Sequence, residues 1–175
     1  MAKVTGVFCQ IITGDVDGAG TDGRVYLGIG GREFRLDSRE DDYERGSWRE
    51  YILGTAPLET VALSPPQIRV RNWEDNDPTL RLPLDTNNLP RSPVYIRFEP
   101  LGSYDKWNLF FAATRVYADQ FFVGYAPPDD CHDLWLGEAM GKVLYLTREW
   151  TDEQQLLEKC QRAARWNSFN PPPRA

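Results

Sequence analysis

Few of the side chains from which catalytic and metal centres are usually built are present in this sequence. Among 175 residues there is one histidine, His132, and three cysteines, Cys9, Cys131 and Cys160. A Ser-His-Asp or Cys-His centre, or a zinc site built on several histidines, would have to rest on His132 alone. Its neighbours Asp129, Asp130, Cys131 and Asp133 do not rescue a metal site there, because adjacent residues of a strand point to opposite faces. An odd number of widely spaced cysteines suits reduced, buried thiols and not a disulfide framework. Positive charge is also short, with 20 Lys+Arg against 26 Asp+Glu and a net charge of −6. A protein that tracks a phosphate backbone needs the opposite balance, so nucleic-acid binding is excluded as a leading role. No apolar run approaches the ~20 residues that span a bilayer. The segment from Met1 to Gly6 lacks a basic stretch followed by an apolar one, so no secretory signal is legible. These absences lead us to expect a cytoplasmic protein that is not transmembrane and whose membrane contact, if any, is peripheral.

What is abundant is punctuation. Fourteen glycines and 13 prolines divide the chain into short segments, and a 41% hydrophobic, 13% aromatic composition suffices for one packed core. Apolar and polar residues alternate at 25–29, 34–36 and 94–98, and further strands are expected at 4–13, 48–53, 68–72, 108–117, 120–125 and 142–147. About eight short strands without intervening helical patterns indicate an all-β antiparallel sandwich or barrel. Seven prolines lie between Pro57 and Pro93, so 54–93 is expected to be a loop-rich insertion. One helix is expected over 151–166, opened by a Thr151 to Gln154 capping box and carrying an apolar stripe of Leu156, Leu157, Cys160, Ala163 and Ala164. Residues 167–175, with Pro171 to Pro173, form a tail beyond it.

The most informative segment runs from Thr13 to Tyr26. It contains Gly18-x-Gly20-x-x-Gly23, the spacing of a dinucleotide-binding turn, but that turn must open a helix and here Arg24 to Ile29 reads as a strand. It also begins like a calcium loop at Asp15 and Asp17, yet Ala19 and Tyr26 occupy positions that an EF-hand fills with oxygen ligands. What remains is a glycine-rich loop between two strands, followed after residue 36 by Asp37, Glu40, Asp41, Asp42 and Glu44. Five carboxylates in eight positions repel one another unless solvent or a cation screens them. Such a cluster is either a solvated acidic turn or, where the two loops meet, a place for a hard cation.

In order along the chain, Thr13-Gly14-Asp15, Gly18-Ala19-Gly20-Thr21-Asp22, Val25-Tyr26 and Tyr43-Glu44-Arg45-Gly46-Ser47 resemble the PLAT domain of polycystins, lipoxygenases and clostridial alpha-toxin. Asp105-Lys-Trp107-Asn-Leu109 and Arg115-Val-Tyr117 look like that family's later tryptophan turn and strand. The resemblance covers roughly 3–147 and implies an eight-stranded antiparallel β-sandwich, with the helix appended. It further implies a module that docks at a membrane lipid surface or on a protein partner, in some members with Ca²⁺ held between loops at one end. Carried over by position, the metal oxygens would be the carbonyls of Gly18 and Gly20 and the side chains of Thr21, Asp22, Asp37, Glu40, Asp42 and Asp105. Gly18 and Ser38 depart from the calcium-binding pattern, which has a carboxylate and an amide at those positions.

Trp48, Trp73 and Trp107 fall near turns or strand ends, where an indole could enter the headgroup level of a membrane, while Trp150 and Trp166 bracket the helix and are expected to pin it. The leading expectation is a non-enzymatic, calcium-dependent binding module. The alternative is a calcium-independent protein-interaction domain. A hydrolase with an unrecognised carboxylate site is a remote third, since 26 acids allow many pairs but none has a telling spacing.

Overall fold

The computed structural model describes residues 2–54, 65–119, 121–128 and 134–169. Eleven strands and one α-helix lie among them: β1 (Gly6–Thr13), β2 (Arg24–Ile29), β3 (Arg32–Arg35), β4 (Trp48–Leu53), β5 (Gln67–Arg69), β6 (Tyr95–Glu99), β7 (Lys106–Ala118), β8 (Phe121–Ala126), β9 (Leu134–Gly137), β10 (Val143–Tyr145), β11 (Arg148–Trp150) and α1 (Glu153–Phe169). Seven strands form one sheet in the order β11-β8-β7-β1-β4-β5, with β9 pairing the first part of β7; the other sheet is β10-β6-β2-β3. Together they make the expected β-sandwich. On its edge away from β1, the thirteen-residue β7 serves two partners, β9 at Lys106 to Leu109 and β8 at Thr114 to Ala118.

The count exceeds the expected strands by β9 and β11, whose four and three residues are too few for alternation to register. One pair, β4 with β5, is parallel, which the long connection between them permits. The Gly30-Gly31 turn joins β2 to β3 with φ of 58° and 79°, the left-handed pair that a two-residue hairpin requires.

The core lies between the sheets. Val7, Cys9 and Ile11 of β1 face it, along with Val25, Leu27, Phe34, Tyr51, Ile96, Phe98 and Trp107. All eight residues of β1 are buried; on the outer face of the same sheet Phe8 packs with Ile52 and Tyr117, and Ile12 lies under α1. There Leu156, Cys160, Ala163 and Ala164 pack on Ile12, Phe110, Phe111, Ala113 and Ala126. Gly124 permits this approach: a Cβ at that position would stand 2.2 Å from Leu156 Cδ2.

The helix begins two residues later than the expected 151. Asp152 is the cap, its Oδ1 accepting from Gln155 N at 3.1 Å, so an aspartate takes the place expected of Thr151. It also runs past the expected end at 166 because Asn167 is built into the body: its amide donates to Thr13 O at 3.0 Å and accepts from Asp15 N at 3.2 Å. Trp150 packs in the cluster beneath the helix, whereas Trp166 is 54% exposed. Cys9 and Cys160 are free, buried thiols. Cys131 and His132, with Asp129, Asp130 and Asp133, lie outside the described residues, as do 55–64 of the insertion and the tail from 170. No helix among the described residues is long and apolar enough to cross a membrane.

Candidate functional site

Strand pairing gathers four connections at one end of the sandwich. Ile12 pairs Trp48, Arg24 pairs Glu99, Tyr26 pairs Arg35 and Lys106 pairs Gly137. The loops 14–23 and 36–47 and the turns 100–105 and 138–142 therefore meet there. The first loop is fixed by Thr21, whose hydroxyl donates to Asp105 Oδ1 at 2.7 Å and accepts from Gly23 N at 2.9 Å. Asp105 also accepts from Leu101 N at 2.8 Å, so one carboxylate joins loop and turn.

The second loop is held by Asp42. Its carboxylate accepts from Ser38 N at 2.6 Å, Ser38 Oγ at 2.8 Å and Tyr51 OH at 3.0 Å. Tyr43 stacks on Tyr51 and meets Trp107 edge-on, at centroid distances of 5.6 and 5.3 Å, and donates to Leu36 O. Burial, reinforced by neighbouring acidic groups including Asp42, pushes the phenols of Tyr43 and Tyr51 well above their ordinary range. Both stay protonated and act as fixed donors.

Between the loops is a cleft of about 160 Å³ lined by Thr21, Asp22, Asp37, Glu40, Asp41 and Asp42, with Arg24 and Arg35 at its side. Of the eight expected ligand residues the structure thus brings five together and adds Asp41, which position alone did not single out. Asp105 stands behind Thr21, while Gly18 and Gly20 do not line the cleft; Gly20 packs on the backbone of Tyr43 and Arg45. The carboxylates differ in availability. Asp37 pairs with Arg35 at 3.3 Å and Glu40 with Arg49 at 2.6 Å, whereas the side chains of Asp22 and Asp41 have no partner among the described residues. An all-oxygen set suits a hard cation in kind. It is not gathered into a shell, since no group of three or more His, Cys, Asp or Glu able to hold a metal occurs among the described residues.

The tryptophans divide three ways. Trp107 is 0% exposed and its indole N–H donates to Thr13 Oγ1 at 3.1 Å; its surface belongs to the core, which corrects its reading as a contact residue. Trp48 is half-buried against the helix cluster, and Trp73 is 41% exposed. The apolar groups that do stand out at the loop end are Leu101 at 61%, Tyr104 at 95% and Met140 at 56%. Their turns adjoin, for a Cβ on Gly137 would lie 3.2 Å from Asp105 O. Lone apolar residues in a Leu101-Gly-Ser-Tyr104 turn are the signal that the sequence carries for this patch.

No protein-family model matches the chain, and no curated protein does. Among solved structures it is similar to the alpha toxin from Clostridium absonum, at 20% identity and a TM-score of 0.48 over 83% of this chain and 32% of that one. It is also similar to a coral 8R-lipoxygenase described as showing calcium activation via a C2-like domain, at 14% identity and a TM-score of 0.43 over 81% of this chain and 16% of that one. The chain thus spans about a third of the toxin and a sixth of the lipoxygenase.

Proposed function

We propose that this chain is a non-catalytic docking module that places the loop end of its sandwich on a lipid surface, with calcium assisting. The observation that carries the reading is the juxtaposition at one end of a carboxylate-lined cleft with exposed Leu101, Tyr104 and Met140. Burying a leucine or tyrosine from water is worth about 2 kcal/mol each, a useful anchor for an otherwise acidic surface. The residues that would hold a calcium ion are Asp22, Asp37, Glu40 and Asp41, with Thr21 beside them, after rotation of the exposed side chains. Positive charge gained there would allow an acidic face to meet lipid phosphates. Asp42 and Asp105 serve this arrangement by fixing the loops.

The test is co-sedimentation with vesicles of phosphatidylcholine and phosphatidylserine, in calcium and in chelator, beside calorimetric titration of Ca²⁺. Binding that needs calcium and is lost in Leu101→Ser with Tyr104→Ser is expected. Equal binding in calcium and chelator would remove calcium from the reading, and no binding in either would overturn docking to lipid. A second reading, a calcium-independent surface for a protein partner, is favoured by the engagement of Asp42, Asp105, Glu40 and Asp37 with protein groups. It predicts no calorimetric heat with calcium.

A further inference from the structure

Beyond Glu40, on the side away from the acidic cleft, lies a second groove of about 430 Å³, lined among others by Arg39, Ile68, Arg69, Arg71 and Trp73. Its size falls within the range of small-ligand pockets. Three guanidinium groups border it in a chain whose net charge is −6. Arg69 donates to Gly54 O, and Glu40 is already neutralised by Arg49. The guanidinium groups of Arg39 and Arg71 have no hydrogen-bond or ion-pair partner among the described residues. Both arginines are exposed, and although carboxylates are plentiful nearby, neither is committed to one.

The walls are fixed. Arg71 N donates to Asp37 O at 2.6 Å. The buried amide of Asn76 donates to Arg71 O at 3.1 Å and Asn72 O at 3.3 Å, and accepts from Arg35 N at 2.8 Å. On the opposite side Glu40 N donates to Ser38 Oγ at 3.1 Å, which Asp42 in turn holds. The backbone that carries Arg39 and Arg71 is therefore set before any ligand arrives, which lowers the ordering cost of binding. Guanidinium forks match the oxygens of phosphate bidentately, and Trp73 offers an exposed aromatic surface at the same groove.

We propose that this groove binds a phosphate ester, its phosphate oxygens between Arg39 and Arg71 and its small organic substituent against Trp73. The site does not depend on calcium in the neighbouring cleft. It would give the module a recognition element for a particular phosphorylated group, whether on a lipid headgroup or on a soluble ester.

The test is a titration of the ¹⁵N-labelled full chain, in chelator, with inorganic phosphate and with phenyl phosphate. Saturable shifts confined to amides of 37–41 and 68–73 are expected, with a Kd on the order of 1 mM and phenyl phosphate about fivefold tighter than inorganic phosphate. Trp73→Ala should erase that preference. Arg39→Gln with Arg71→Gln should weaken both ligands by about tenfold or more, while Arg162→Gln with Arg165→Gln, the same charge removed from exposed helix positions, should not. Absence of saturable binding, shifts spread over the surface, or equal weakening by the helix pair would overturn the proposal. Vesicles of phosphatidylcholine with and without phosphatidylinositol 4-phosphate separate the sources: retention that needs the groove arginines assigns the ester to lipid, and ester binding without such retention assigns it to a soluble compound. Asp22→Asn should leave phosphate binding intact, so failure of the calcium reading and failure of this one remain distinguishable.

Discussion

Beneath α1, Arg115 and Glu50 meet with side chains 3% and 0% exposed, while at the loop end Glu40 and Arg49 pair with 60% and 20% exposed. The two regions use the same chemistry for different ends. Glu50 also accepts from Gln10 at 3.2 Å and Gln67 at 2.6 Å, and Arg115 reaches Glu153 of the helix and the Tyr117 hydroxyl, both at 2.9 Å. This network closes the gap between sheet and helix, and nearly every member is committed. At the loop end, by contrast, the charges of Asp22, Asp41, Arg39 and Arg71 have no partner among the described residues. Burial and partnership, more than residue type, decide which charges support the fold and which remain available.

Three measurements can sharpen or break this contrast. The largest effect is expected from Arg115→Ala, which strands the buried Glu50 carboxylate and should cost about 3–5 kcal/mol in urea unfolding. A loss under about 1 kcal/mol would place the network among ordinary surface pairs. Next is alkaline pH. Burial pushes the Cys160 thiol up to about 12 and, with help from Glu149, the Tyr125 phenol up to about 12. The native state then keeps protons that the unfolded chain releases, so this contribution is intact below about pH 9 and fades as pH rises toward 12. A melting temperature that falls across that window, less steeply in Cys160→Ala, is expected; a flat profile would contradict the burial beneath α1. The smallest effect is expected from Glu40→Gln. Its exposed pair should contribute less than about 1 kcal/mol, and a larger loss in urea unfolding would mean that the loop end supports the fold after all.

Much of the fold could be read from the order of residues because strands of five or more carry their own alternation. Nine segments are expected and each overlaps a strand; β9 and β11, of four and three residues, carry too little alternation to be legible. The two acidic loops were also legible, since glycine clusters and carboxylate density are local properties. The sequence does not reveal that Asp42 is spent on Ser38 and Tyr51, because that depends on an aromatic nine positions away folding over the loop. Arg115 and Glu50 carry no local sign of burial, which comes with contacts to Gln10, Gln67 and the helix residue Glu153. The groove arginines were hidden for a similar reason: Arg39 and Arg71 stand 32 positions apart, and the bond between Arg71 N and Asp37 O brings their segments together.

The two bonds of Asn167, to Thr13 and Asp15, span 154 and 152 positions. In a chain made from its amino end the helix follows every described strand, and contacts of such separation are the slowest to form. During synthesis β1 and the glycine-rich loop emerge long before the residues that fasten them, so the loop end is completed only once the helix has been released. The loop end is thus finished only after the sheets that support it have been made.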